Sequence, residues 1–360
     1  MRDKGFWVTR MAKLMIFDST LRDGNHAVKH QISKDSIEDY CLAMDGSGVH
    51  TIIVGHGNGL GASSLQVGFS GISEKEMLQT ARDSLERTRL GAYMIPGFGT
   101  IHDNLEPAIE IGVELFTIGC HCTEADTTRQ HIEFLRNAGK ETYGVLMMYH
   151  MASTEKILEE AQKMQSYGAQ GVILMDSAGA STPEMVQKTI STLYDGLQIH
   201  VGFHPHNNMG MAVANAYTAY LEGATIIDGT LRGFGAGAGN CQLEDFVALL
   251  EKCHVKTGID FYKLLDASEQ IMPGIMGKEM GQDPLSIVSG QNGVFSAFKI
   301  HVQKAAEEFH VDARDIFKEL GRRKAVAGQE DMIVEIAEKL SRPAGSASGH
   351  NMDYQLGSLL

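Results

Sequence analysis

Along the 360-residue chain, short apolar runs alternate with longer stretches in which apolar positions recur every three to four residues. The short runs predict strands at Leu14–Phe17, His50–Val54, Leu90–Ile95, Leu115–Ile118, Thr142–Met148, Gly171–Met175, Gln198–Phe203 and Thr225–Ile227. The longer stretches predict amphipathic helices between them, at Lys34–Met44, Glu74–Glu86, Thr127–Asn137, Thr154–Gln165, Thr182–Tyr194 and Gly210–Leu221. Strand–helix alternation repeated over eight strands predicts a parallel (β/α)8 TIM barrel rather than an open sheet. Past residue 256 the rhythm turns wholly helical, with segments at Ser296–Phe309, Ala313–Leu320 and Gln329–Leu340. The expected division is an N-terminal extension over 1–13, a catalytic barrel over 14–256, a helical C-terminal domain over 257–340 and a disordered tail over 341–360.

In such a barrel the loops after the strands build the active site, and here those loops carry Gly, Asp, His and Ser. Two of them stand out. The first strand runs into Asp18-Ser19-Thr20-Leu21-Arg22-Asp23-Gly24-Asn25-His26, and the seventh ends in His204-Pro205-His206-Asn207-Asn208. Side chains alternate across a strand, so His204 and His206 point the same way, and Pro205 holds His204 extended. With Asp23 they make two imidazoles and one carboxylate, a set that binds a divalent metal and leaves positions open. Mn²⁺, Mg²⁺, Co²⁺ or Fe²⁺ suits it better than a closed zinc site. The plainer alternative is a capping aspartate and two hydrogen-bonded strand histidines. Arg22 reads as a bidentate clamp on a carboxylate or enolate, or as a surface ion-pair partner. His26, expected on the same loop as Asp23, reads as an acid–base group or a surface histidine. The run Gly233–Asn240 departs from the dinucleotide pattern GxGxxG and follows the last barrel strand. Its glycines let backbone approach a metal or substrate closely, and Asn240 either caps the next helix or turns its carbonyl to the metal.

Composition narrows the partners. The formal net charge is −14 with no basic run, which argues against nucleic acid. No apolar run reaches membrane-spanning length, and the start shows no signal-peptide core, so a cytoplasmic enzyme is expected. The five cysteines are odd in number and lie mostly in apolar stretches, which fits reduced thiols rather than a disulfide framework. Cys120 and Cys122 share one strand face, but no second pair completes a zinc site.

The segments Asp18–Gly24, His204–Asn207 and Gly235–Asn240 resemble those of the metal-dependent, pyruvate-handling TIM barrels that include HMG-CoA lyase and isopropylmalate synthase. Within that superfamily the chain is most similar to the 4-hydroxy-2-oxovalerate aldolase family. The likeness extends over Gly24–Val28, His56–Leu60, His121–Asp126, Leu146–Met148 and Gly328–Ile333. The resemblance implies reversible cleavage of a 4-hydroxy-2-oxoacid to pyruvate and an aldehyde, in the catabolism of aromatic hydrocarbons. It implies metal binding by Asp23, His204 and His206, with Mn²⁺ first and Mg²⁺ or Co²⁺ as alternatives. It further implies an enolate-stabilising Arg22, an acid–base His26, an oligomeric assembly and an acylating aldehyde dehydrogenase as partner. Ser177, Tyr93 and Gln291 join Arg22 as expected substrate-binding residues, and Asn240 as a ligand or supporting group. Four positions depart from the family pattern: Ile53 stands where a glutamate is usual, Tyr93 where a small aliphatic is usual, and Gln291 and Phe295 occupy a tyrosine-bearing segment. These departures keep open an alternative, a divergent biosynthetic aldolase or a Claisen-type relative with another acceptor. A subunit without activity is disfavoured by the intact Arg22, Asp23, His204 and His206. Cys241 follows Asn240 rather than preceding it, which weighs against the HMG-CoA lyase reaction.

Overall fold

The computed structural model describes residues 13–326 and 328–342. Most of the expected extension and nearly all of the expected tail lie outside the described residues. The strands are β1 (Met15–Asp18), β2 (Thr51–Ile53), β3 (Arg89–Met94), β4 (Leu115–His121), β5 (Glu141–Met147), β6 (Gly171–Asp176), β7 (His200–Pro205) and β8 (Ile226–Gly229). They form a closed parallel barrel in sequence order, with β8 pairing back onto β1. All eight strands expected from the apolar runs are present. β4 runs on to His121 because Gly119, Cys120 and His121 pair with Val145, Leu146 and Met147 of β5.

The helices are α1 (Thr20–Ala27), α2 (Lys34–Met44), α3 (Glu74–Ser84), α4 (Glu106–Ile111), α5 (Arg129–Asn137), α6 (Thr154–Ser166), α7 (Pro183–Gly196), α8 (Ala212–Leu221) and α9 (Leu243–Lys252). There follow α10 (Phe261–Gln270), α11 (Met272–Met276), α12 (Pro284–Gln291), α13 (Lys299–Phe309), α14 (Ala313–Arg323) and α15 (Asp331–Ser341). Local chemistry starts many of them. Ser33, Ser73, Ser153, Thr182, Asp260 and Asp283 each accept a backbone N–H at the helix start, and Pro183 and Pro284 occupy first-turn positions. Among the described residues no helix is long and apolar enough to cross a membrane.

Alternation along each strand sorts the side chains into two cores. Outward residues such as Ile16, Ile52, Leu90, Phe116, Val172 and Phe203 pack under the helices, and Leu264 and Met272 of α10 and α11 join them. Inward residues fill the barrel with Phe17, Ile53, Tyr93, Leu115, Tyr143, Val145, Ile173, Met175 and Ile226. A separate core gathers Phe298, Val302, Ile316, Phe317, Leu320, Ile333 and Ile336 from the last helices. Cys41, Cys120, Cys122 and Cys241 are buried free thiols, and Cys253 is free and exposed.

The inward plug separates two polar layers. At the N-terminal end of the barrel, Glu141 accepts from the Tyr143 hydroxyl at 2.5 Å, lies 2.8 Å from His50 Nε2 and pairs with Arg89 at 3.1 Å. Phe17 stacks on His50 beneath them. The other layer, at the C-terminal end, carries the residues singled out in the sequence. There the last helical region is seated on the rim: Ser296 donates through its backbone and hydroxyl to Ser177 O and through Oγ to Asn208 Oδ1.

Candidate metal centre and active site

The segment that carries Arg22, Asp23 and His26 is not a loop. It is α1, which begins one residue after Ser19 at the end of β1. Gly24 and Asn25 look like breakers in sequence, but each has another reason to be there. A Cβ on Gly24 would stand 2.1 Å from the Phe234 ring, so that glycine permits close packing rather than a turn. The Asn25 side-chain amide donates to Gly55 O at 2.8 Å and its carbonyl accepts from Ile32 N, which ties α1 to its neighbours. One helical face therefore presents Asp23 and, three residues on, His26.

His204 lies within β7 and His206 just beyond its end, held by a bridge to Asn240. The two histidines and Asp23 each offer a ligand atom within 4.8 Å of one another, and all three are buried. His204 Nε2 and His206 Nε2 stand 3.9 and 4.0 Å from Asp23 Oδ2. Asp23 Oδ1 accepts from Ala236 N at 3.0 Å and from Asn240 Nδ2 at 2.9 Å. A Cβ on Gly235 would lie 2.4 Å from that same oxygen, so only glycine fits beside it. Asn240 does not cap α9, whose start is Gln242. Both ring nitrogens of His204, His206 Nδ1 and Asn240 Oδ1 are buried with no hydrogen-bond partner. Orphaned buried nitrogens beside a carboxylate are costly unless something occupies them, and a divalent cation fits that donor set.

Arg22 is 3% exposed. Its Nη1 donates to Asp23 Oδ2 at 2.6 Å and to Gly57 O at 3.4 Å, and its Nη2 to Ser19 Oγ at 3.4 Å. The guanidinium lies over the Tyr93 ring, 4.8 Å from its centroid. Ile53 is buried in the inward plug, so an aromatic face, not a second-strand carboxylate, supports the arginine. Burial pushes the Asp23 carboxyl up, but Arg22, His206, His26 and His204 together hold it well below the ordinary value. Burial lowers His26 to about 4 against the pull of Asp23, which leaves a neutral imidazole at pH 7. His30 stacks edge-on to His26 and face-on to His56, with centroids 5.2 and 3.6 Å apart.

The remaining candidates separate. Ser177 is buried on the rim, where its Oγ accepts from Met148 N at 3.4 Å. Gln291 ends α12 with an exposed side chain. Cys241 is buried and its thiol is pushed well above the ordinary value by that burial, so it is no thiolate nucleophile. One residue went unnoticed in the sequence. Asp228 of β8 accepts from Ser19 Oγ at 2.7 Å and lies 2.8 Å from His204 Nδ1. The signal available was a strand that ends in an aspartate, Ile226-Ile227-Asp228.

Known proteins resemble the chain along most of its length. The model of the HMGL-like family matches residues 13–271, and that of the DmpG-like communication domain matches 280–342. A protein named 4-hydroxy-2-oxovalerate aldolase from Pectobacterium atrosepticum is 53% identical over 330 residues, covering 92% of this chain and 96% of that one.

The chain belongs to the 4-hydroxy-2-oxovalerate aldolase family.

A second member, from Spirochaeta aurantia, is 51% identical over 328 residues, covering 91% of this chain and 96% of its own. Among solved structures, the carboxyl transferase domain of Rhizobium etli pyruvate carboxylase superposes with a TM-score of 0.77 at 14% identity, over 94% of this chain and 62% of that one. Bacillus subtilis HMG-CoA lyase gives 0.63 at 21%, over 74% and 95%. These two likenesses concern the fold. The family match extends through both the barrel and the last helices, so the aldolase family's two-part layout is present here.

Proposed function

We propose that the chain is a divalent-metal-dependent carbon–carbon lyase that cleaves a 4-hydroxy-2-oxoacid, of the 4-hydroxy-2-oxovalerate kind, to pyruvate and an aldehyde, and runs the reverse addition. The observation that carries this reading is the convergence of Asp23, His204 and His206 beside a buried, aromatic-backed Arg22. Asp23, His204 and His206 would hold the ion, with Mn²⁺ preferred over Mg²⁺ or Co²⁺, and Asn240 supports Asp23. When bound, the ion supplies Lewis-acid polarisation of the 2-oxo group.

The chain's own residues do the rest. Arg22 offers its fork to the oxygen that gains charge as the enolate forms. His26, neutral at pH 7, takes the proton from the 4-hydroxyl. The C3–C4 bond breaks as the aldehyde carbonyl forms, and C3 of the pyruvate enolate then gains a proton. Ser177 and Tyr93 shape the floor and wall around the 2-oxoacid, and Gln291 enters only through the rim-seated helix it terminates.

The helical region that matches the communication-domain model supports a partnership with an acylating aldehyde dehydrogenase that consumes the aldehyde. Five free cysteines support a reducing, cytoplasmic setting. The family resemblance supports an oligomer. The test is pyruvate release from a panel of 4-hydroxy-2-oxoacids with Mn²⁺, Mg²⁺ or Co²⁺ added. Activity that needs the ion and vanishes with chelator is expected; no pyruvate from any substrate with any of the three ions overturns the reading.

A further inference from the structure

We propose that Asp228 is the positioning residue that unites the metal centre with the arginine: it fixes the ring of His204 directly and holds Arg22 through Ser19. This inference rests on the metal-site reading above and deepens it.

The ladder between the first and last strands creates the arrangement. Phe17 pairs with Asp228 and Asp18 with Gly229, and Ser19 N donates to Gly229 O at 2.9 Å. Ile226 points into the barrel plug, so Asp228, two residues on, points inward one layer higher. His204 shares that layer. The carboxylate is 4% exposed and splits its oxygens between two tasks. Oδ1 accepts from Ser19 Oγ at 2.7 Å, and Oδ2 stands 2.8 Å from His204 Nδ1. Ser19 Oγ in turn accepts from Arg22 Nη2 at 3.4 Å.

The use of Ser19 is informative. It occupies the N-cap of α1, where a serine hydroxyl ordinarily accepts a backbone N–H of the first turn. Here it makes no such bond. The hydroxyl proton goes to Asp228, and the helix start forgoes its side-chain cap. A buried carboxylate must be paired to stay charged, and its partners here are a donor hydroxyl and an imidazole edge. The contact at 2.8 Å is close but off the angle of a hydrogen bond, so it acts through charge: an anion beside Nδ1 favours the imidazole proton on that nitrogen. The Nε2 lone pair then faces Asp23, where a ligand atom is needed. The same oxygen pair, acting through Ser19, sets the end of the guanidinium that Asp23 does not hold. One carboxylate thus locks a ligand on β7 and a charge on α1.

The role separates by variants. Asp228→Asn cannot accept from both Ser19 and His204, so one of the two interactions is lost. Direct titration of the metal-free full chain with Mn²⁺, followed by the electron spin resonance of free ion, is expected to show affinity lowered by 10–100-fold, the usual scale for such partners. Ser19→Ala keeps Asp228 against His204. It is expected to bind Mn²⁺ within about threefold of wild type while kcat falls and KM for the 2-oxoacid stays level. A third measurement needs no change at Asp228. In ¹⁵N-histidine spectra of the metal-free protein, the His204 resonances, found by difference against His204→Gln, are expected to report the Nδ1–H tautomer. An Nε2–H tautomer in wild type, or unchanged Mn²⁺ affinity in a folded Asp228→Asn, overturns the proposal alone. Wild type that binds no Mn²⁺ overturns it together with the metal-site reading.

Discussion

At the N-terminal end of the barrel, Glu141, Tyr143, His50 and Arg89 satisfy one another, and none of them has a buried polar atom without a partner. At the C-terminal end, a cluster of similar composition leaves Arg22 Nε, both ring nitrogens of His204, His206 Nδ1 and Asn240 Oδ1 buried and without a hydrogen-bond partner. Both clusters sit on the same apolar plug, the first drawn from β3, β5 and the residue before β2, the second from α1, β7 and the loop after β8. The difference is in closure. A polar group in a protein interior costs free energy until it is paired, so a cluster paired within itself contributes stability. A cluster left open retains that cost, which a ligand can relieve. Burial and charge alone do not tell the two ends apart; the count of open valences does.

The largest effect expected from that contrast is at the open end. His206→Ala should cut kcat/KM by about 1000-fold, or ~4 kcal/mol, while the melting temperature in metal-free buffer stays near that of wild type. Full Mn²⁺ occupancy in that variant, or a collapsed fold, would erase the contrast. Next comes Arg22→Lys, which retains charge but loses the planar fork. Steady-state kinetics should show kcat down by about 100-fold with KM little changed. Near-normal turnover removes Arg22 from the enolate.

The closed end predicts the reverse. Glu141→Gln should leave kcat intact and lower stability. Burial raises the Glu141 carboxyl, but His50, Tyr143 and Arg89 bring it down from 4.5 to about 2. A folded-state value below the unfolded one gives stabilisation that is present above about pH 4.5 and fades as pH falls toward about 2. With 21% of the side chain in water, the magnitude is about 2 kcal/mol at pH 7. Urea unfolding at pH 7 and pH 3 checks it: wild type should lose more between the two than Glu141→Gln does. The smallest effect is at Tyr93, whose ring rather than hydroxyl faces Arg22. Tyr93→Phe should be silent, and Tyr93→Leu should lower kcat by roughly fivefold, near 1 kcal/mol. Equal losses in the two variants would transfer the role to the hydroxyl.

Much of this was readable before any coordinates. Eight apolar runs gave the barrel because each strand buries both faces. The i, i+2 spacing of His204 and His206 placed both imidazoles on one side because strand alternation is a local rule. What was not readable depended on distant partners. Gly24 looked like a loop residue because only the Phe234 ring, brought in by the fold, explains its missing side chain. Asp228 looked like any strand-end carboxylate because its partner Ser19 lies 209 residues away. Gln291 was expected near substrate only through the family resemblance, and its exposed side chain at the end of α12 is a property that no local pattern announces.

The bond between Asn240 and Asp23 spans 217 residues, and the groups it joins flank the β1–β8 seam. That seam is the last to be zipped in a barrel assembled from its N-terminus, since β8 must be made before β1 can find it. The residues that would hold the ion lie within 23–206, but the Asn240 amide that orients Asp23 comes only after β8. Loop-closure entropy for such distant segments is paid late, so ion capture reports that the ring has shut. A nascent chain halted before its eighth strand therefore carries Asp23, His204 and His206 without the Asp228 and Asn240 that hold them in place, and the finished centre is acquired in the same event that completes the cylinder.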